Sequence, residues 1–308
     1  MFKLPKVIFI VGQTASGKTN LAIELAKKFN GAIVNADSRQ VYKKMDIVTA
    51  KPVRDLKSPR GLYLVDGIDH YLVDICDPGK TFTLSDFKEA AIKAIDKILK
   101  DDKLPIVVGG TGLYSWVLLD NLDIPKIAPN KKLRDSFEDK SLEELVKLLK
   151  NTDPEAYAKI DLKNKRRVLR ALEVSISSGE SFVKQTTKSK PLYDSLEIGL
   201  HWSRREIFKR IEDRIDGQMA AGAIEETQKL LKRYPPNLPS LSTIGYKQIG
   251  AYLNGELALK EAVTQFKRDT KRYAKRQETW FKRDKRINWI EKNDFFVASK
   301  LAEKFLEK

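Results

Sequence analysis

Apolar residues fall along this chain in two textures. Short unbroken runs at Val7–Gly12 (VIFIVG), Ala32–Ala36 and Pro105–Val108 read as strands buried on both faces of a parallel sheet. Between them the apolar positions recur at helical spacing. One helix runs from Lys18 to about Phe29 and stops at Asn30-Gly31, a C-cap signal. Another spans Thr83–Lys100, with Phe87, Ala91, Ile92, Ile95, Ile98 and Leu99 on one face. Asp69–Pro78 reads as a further strand with a turn, and a helix begins near Leu113.

After Leu122 the texture changes. Asn121–Asn130 holds two prolines and no period, the mark of a linker. From Lys131 to about Ser178 the pattern is helical throughout, with a capping box at Ser141/Glu144 and an N-cap before proline at Asp153-Pro154. Gly179–Pro191 is a polar loop. Strand character returns at Leu196–Trp202, and helices follow over Ser203–Ala220, Glu225–Tyr234, Gln248–Asn254 and Glu256–Arg283. The order predicts an α/β core of residues 1–120 and 195–308, interrupted by a helical insertion over 121–194.

The first strand is followed by GQTASGKT, which fits G-x-x-x-x-G-K-[ST] and makes the core a P-loop NTPase-like parallel sheet. Gly12 and Gly17 let the backbone bend and approach a phosphate. The amides of Ala15, Ser16, Gly17, Lys18 and Thr19 lie at a helix N-terminus, which favours an anion. Lys18 adds a full charge, and the Thr19 hydroxyl is placed to ligate Mg²⁺. The loop alone leaves kinase, NTPase and diphosphate-dependent transferase open. Asp37 ends the second strand and is delivered to the same sheet edge, where it is either a catalytic group or the cap of a following helix. Gly109, Gly110, Thr111 and Gly112 repeat the strand-then-glycine design, as a second site loop or a plain turn.

Charge changes the picture. With 58 basic against 42 acidic residues the net charge is +16, which points to a polyanionic partner. It concentrates between Gln265 and Arg286, where ten Lys or Arg face three acids. Tyr273, Trp280 and Phe281 are interleaved, a mixture that suits RNA phosphates and splayed bases. The alternative is a solvated helix face with its aromatics turned inward. No stretch is apolar for eighteen residues, so no membrane partner is expected. MFKLPK runs directly into a core strand and is not read as a signal peptide. The single cysteine, Cys76, excludes a disulfide framework, and two histidines, His70 and His201, exclude a His-rich metal centre.

Taken together, GQTASGKT, NADSRQVYKKMDIVTAKP, DHYLVDICDPGKTFTLSDF, PIVVGGTGLY, RALEV, IGYKQ and AKRQETWF stand in the order and spacing of one family. Over residues 5 to about 290 the chain resembles the bacterial tRNA dimethylallyltransferases. The resemblance implies attack of an adenine N6, next to the tRNA anticodon, on C1 of dimethylallyl diphosphate, with Mg²⁺ and without ATP consumption. It implies Asp37 as base, Thr111 near the reacting centre, and Lys18 on the leaving diphosphate. The donor would lie on Gly12, Gln13, Thr14, Ala15, Ser16, Gly17, Lys18, Thr19 and Arg214. Contacts to the tRNA anticodon stem-loop would come from Asp37, Ser38, Arg39, Gln40 and Thr111. Further contacts would come from Arg166, Arg167, Val168, Leu169 and Arg170, and from Ser242, Thr243, Ile244, Gly245, Tyr246 and Lys247. The last group is Lys275, Arg276, Gln277, Glu278, Thr279, Trp280, Phe281 and Lys282. The insertion resembles the family's mobile domain, and a cytoplasmic monomer without a C-terminal zinc finger is expected. Three departures stand out: Gln13 where proline is usual, Gln218 where methionine is usual, and DLKN (Asp161–Asn164) in place of HPND.

Overall fold

The apolar runs pair with one another. In a computed structural model, which describes residues 3–59, 61–125, 127 and 130–308, β1 (Lys6–Gly12) lies between β5 (Leu104–Gly109) and β6 (Asp194–His201). Beyond β5 come β2 (Gly31–Asn35), β4 (Ile68–Tyr71) and β3 (Leu64–Val65), and β7 (Asn288–Glu291) flanks β6. The order is β3-β4-β2-β5-β1-β6-β7, and every pairing is parallel except the β3–β4 hairpin. Continuous burial of β1 and β2 explains their unbroken apolar sequence, since each is covered on both faces.

The helices of the sheet-bearing unit are α1 (Lys18–Lys28), α2 (Leu84–Lys100), α3 (Gly112–Leu119), α8 (Arg204–Ala220), α9 (Ala223–Leu231), α10 (Tyr246–Leu253), α11 (Leu259–Phe281) and α12 (Phe295–Glu307). One core joins β1, β5 and β6 to α1 and α12 through Ile8, Ile10, Leu21, Leu25, Ile106, Ile198 and Ala298. A second joins the 41–48 segment to α8, α10 and α11 through Met45, Ile211, Ile215, Tyr246 and Phe266.

The chain divides into two compact units, Met1–Leu118 with Leu192–Lys308, and Leu119–Pro191. The second unit is helical: α4 (Lys131–Asp135), α5 (Leu142–Thr152), α6 (Pro154–Lys159) and α7 (Lys165–Ser178). They enclose Phe137, Leu145, Leu149, Ala156, Val168, Ala171 and Leu172. Asp153 caps α6 through the Ala156 amide and also accepts from Ser175, Ser181 and the Phe182 amide, which fixes the loop after α7. Buried Glu173 accepts from Arg134 at 2.7 Å and Arg170 at 2.5 Å. The unit's two ends are clasped together by an antiparallel bridge between Leu122 and Lys188, a bond from Asn121 to the Lys190 carbonyl at 2.9 Å, and one from the Asp123 amide to Thr187 at 2.9 Å. Of the expected linker and the expected N-terminal run, Lys126, Ala128, Pro129, Met1 and Phe2 lie outside the described residues.

Three elements were not anticipated: the two-residue β3, β7 and α12. β7 exposes three of its four residues and buries Ile290, too short a pattern to show a period. α12 follows an N-cap at Asp294, whose carboxylate accepts from the Val297 amide.

Candidate active site

The loops after β1, β2 and β5 meet at the carboxyl edge of the sheet, the usual place for a ligand in an open parallel sheet. Gly12 has φ 140°, and a Cβ there would lie 3.1 Å from the Leu200 carbonyl; Gly17 caps α1 at φ 91°. The loop they define opens a cleft of about 480 Å³. Thr14, Ala15, Ser16, Gly17, Lys18 and Thr19 form its floor, Asp37 and Gln40 one side, and Arg210 and Arg214 another. Thr49, Ala50, Pro52 and Val108 supply its less polar wall.

The cations are held under tension by burial. Burial lowers the Lys18 ammonium to about 8, the Asp37 carboxylate raises it, and the Arg214 charge lowers it again. Lys18 donates to the Gln13 carbonyl at 2.6 Å. Arg214 is likewise pushed below the ordinary arginine range by burial, against support from Asp37 and with a further push from Arg210. Its Nε and the Ser16 hydroxyl are buried and find no partner among the described residues. Both residues line the cleft, where an anion would accept from them. Arg210 was missed from the sequence, although its spacing of four from Arg214 places both on one face of α8.

The phosphate loop is also gripped from behind. Arg210 Nε donates to the Ala15 carbonyl at 2.7 Å, and Trp202 Nε1 donates to the Ser16 carbonyl at 2.9 Å. The Arg210 guanidinium stacks on the Trp202 ring at 4.3 Å. Of the loop amides, Ser16 turns to Gln13 O at 3.3 Å and Thr14 is taken by Gln277 at 2.8 Å.

Asp37 caps no helix, because the chain continues in turns. One of its oxygens accepts the Arg39 amide at 2.8 Å, a local Asx turn, while Asn35 Oδ1 accepts the Asp37 amide at 3.2 Å. Thr111 is not part of the cleft lining but accepts from the Ser38 amide at 3.2 Å. Burial and the Asp37 charge raise the Tyr273 hydroxyl to about 12, against lowering by Arg39 and Thr111. The glycines around Thr111 are each required by a neighbour. A Cβ would meet the Ala36 carbonyl at 2.2 Å from Gly109, Gln277 at 2.3 Å from Gly110, and Trp280 at 2.1 Å from Gly112.

The residues expected to touch RNA divide by exposure. Lys275, Arg276, Thr279 and Lys282 line the outer side of α11; Lys247, Ser242, Arg166 and Arg167 are also exposed, and Thr243, Ile244, Leu169 and Glu278 partly so. Val168, Tyr246, Gln277 and Phe281 are buried, with Gly245. Tyr246 donates to Glu226 at 2.7 Å, Phe281 packs with Val11 and Ile287, and Val168 sits in the helical unit's core, so these side chains serve the scaffold. Trp280 packs on Trp116 with centroids 4.6 Å apart. Gln40 turns inward to the Thr49 and Ala50 carbonyls, and Arg170 is engaged by Glu173 and the Ile127 carbonyl.

Two further side chains, neither read from the sequence as part of a site, hold the segment that runs into Thr49 and Ala50 of the cleft wall. Glu226 accepts from the Asp46, Ile47 and Val48 amides at 2.7–3.1 Å, and Gln218 donates to the Ile47 and Val48 carbonyls at 2.6 and 3.0 Å. The departure at Gln218 thus has a structural use.

Residues 40–284 match the family model described as IPP transferase, and residues 5–74 the one described as Isopentenyl transferase. A tRNA dimethylallyltransferase of Acetivibrio thermocellus is 42% identical over 97% of this chain and 96% of its own. The tRNA isopentenylpyrophosphate transferase of Bacillus halodurans has a similar structure, with a TM-score of 0.70, 35% identity and 97% of each chain covered. A eukaryotic dimethylallyltransferase whose structures describe it acting on tRNA matches with a TM-score of 0.77 and 28% identity, over 97% of this chain and 77% of that one.

Proposed function

The chain belongs to the IPP transferase family, and we propose that its cleft transfers a dimethylallyl group from dimethylallyl diphosphate to N6 of the adenosine 3′-adjacent to the anticodon in tRNA. The observation that carries this reading is the meeting of a phosphate loop, two unsatisfied buried groups and one carboxylate in a single cleft.

In this reading the diphosphate lies on the Gly17, Lys18 and Thr19 end of the loop, beside Ser16 and Arg214. The prenyl chain lies along Thr49, Ala50, Pro52 and Val108. The N6 lone pair forms a bond to C1 while the C1–O bond breaks and its electrons leave with the diphosphate. Lys18, Arg214 and Arg210 oppose the charge that grows on that leaving group. The N6 proton passes to the free oxygen of Asp37, whose other oxygen is fixed by the Arg39 amide. Thr111 orients Ser38, the residue after this base. The target base must leave its stack to reach the sheet edge.

The Thr19 hydroxyl would hold Mg²⁺, which supplies further charge neutralisation on the departing diphosphate. Among the described residues no group of three or more His, Cys, Asp or Glu forms a cage. The cation would therefore take most of its oxygens from diphosphate and water, as Mg²⁺ commonly does. In the same reading the enzyme is a monomer working in the cytoplasm, and the helical unit would move to close on the anticodon arm.

The test incubates tRNA with labelled dimethylallyl diphosphate and Mg²⁺ in the absence of ATP. Label in tRNA at the expected adenosine supports the reading. Unlabelled tRNA, or ATP turnover with a small-molecule acceptor, refutes it.

A further inference from the structure

Gln277 was expected at an RNA surface, yet it is 5% exposed and points the other way. Its Oε1 accepts the Thr14 amide at 2.8 Å, and its Nε2 donates to the Gly110 carbonyl at 2.7 Å. One side chain therefore joins the phosphate loop to the glycine loop. The fit is close: any Cβ at Gly110 would lie 2.3 Å from that Nε2. One turn back on the same helix, the Ala274 carbonyl accepts from Gln13 Nε2 at 3.2 Å, and Gln13 is itself 5% exposed. A proline at position 13, usual in the enzymes the chain resembles, has no side-chain donor for this bond.

Between Ala274 and Gln277 lie Lys275 and Arg276, both exposed. A single turn of α11 thus has charge on its outer side and both loops of the cleft on its inner side. Phosphates drawn onto Lys275 and Arg276 act on the same turn whose Gln277 and Ala274 bond the Thr14 amide, the Gly110 carbonyl and Gln13.

We propose that Gln13 and Gln277 form a latch that couples nucleic-acid contacts on the outer face of α11 to the geometry of the phosphate loop. Both are positioning residues, acting through Thr14, Gly110 and the helix backbone. The inference rests on the functional reading above, because it takes the outer face to be the RNA side and the loop to be the diphosphate side. Ordering the turn with RNA lowers the cost of ordering the loop, which appears as positive coupling between the two ligands.

The experiment measures inorganic diphosphate binding by calorimetry, with and without saturating anticodon stem-loop, for the full chain and for Gln13→Met and Gln277→Met. Methionine has comparable length and keeps the fill while removing the hydrogen bonds. The wild-type stem-loop should tighten diphosphate about tenfold, within the usual range for coupled sites. Each variant should cut that factor to about twofold or less, and its affinity for stem-loop alone should stay at the wild-type value. A variant that weakens diphosphate equally with and without RNA has lost scaffolding only and overturns the latch. A wild-type factor of one also overturns it. If Gln277→Met melts early, Gln13→Met, which loses one bond, decides the question. Prenyl transfer by the wild-type chain is measured separately, so loss of coupling is distinguishable from failure of the functional reading.

Discussion

The ten cationic side chains between Gln265 and Arg286 are not equally available to RNA. Lys267 is held by Asp216, Lys271 by Glu212, Arg268 and Arg272 by Asp269, Lys282 by Glu278, and Arg286 by Asp284. Lys275, Arg276, Arg283 and Lys285 are exposed and have no carboxylate partner among the described residues. Each phosphate they neutralise on a single strand contributes about −0.7 to the slope of log K against log salt, so four contacts give about −2.8. Replacing Lys275 and Arg276 with Gln should remove about 1.4 from that magnitude. The wild-type advantage should then shrink about sevenfold between roughly 50 and 200 mM salt, because a fourfold rise raised to the power 1.4 is about seven. The assay is fluorescence anisotropy of a labelled anticodon stem-loop across that range. Lys271→Gln is the control: its ammonium is already engaged by Glu212, and the slope should hardly change. Parallel slopes for the double variant and the wild type would show that this face is merely solvated.

Asp37→Ala should slow single-turnover transfer by about 10²–10⁴-fold with donor affinity kept, and a near-normal rate would reduce Asp37 to a turn former. Lys18, lowered to about 8, loses its charge in the free protein as pH rises through that value, so diphosphate affinity should fall from pH 7 to 9. Lys18→Met should flatten that limb of the titration, and an unchanged profile would place the dependence elsewhere. Gly109→Ala should destabilise the fold by about 2 kcal/mol or more in urea, because its Cβ meets backbone at 2.2 Å. Gly217→Ala, on the open surface of α8 with nothing within 4 Å, should instead stabilise by about 0.5–1 kcal/mol.

What the sequence disclosed was local. The phosphate loop needs a strand, two glycines and a helix in one stretch of thirteen residues, so motif and geometry coincide from Val7 to Thr19. The capping box at Ser141 and the N-cap before proline at Asp153 likewise announced their own helices. What stayed hidden depends on partners far along the chain. The run Gly109–Gly112 suits either a turn or a site, and its reasons lie in Ala36 for Gly109 and in Gln277 and Trp280, more than 160 positions later, for Gly110 and Gly112. The position of Asp37 left a catalytic group and a cap both open, because no local pattern shows that turns, and not a helix, follow it. Gln277 and Phe281 share a window with exposed cations, and only the helix's rotation against the sheet separates inner from outer.

The clasp between Leu122 and Lys188 has a bearing on how the sheet is assembled in time. β1 pairs with β6 across roughly 190 positions, Val7 against Ser195, a contact that is slow to form by chain diffusion. The helical unit in between is built from local contacts and can order first. Once its ends are drawn together, about 70 residues drop out of the loop that β1 and β6 must close. The entropy recovered is only about 0.4 kcal/mol, since loop cost grows with the logarithm of length. A growing chain can therefore lay down β1, β2 and β5 early, wait for the insertion to order itself, and receive β6 as though the insertion had almost no length.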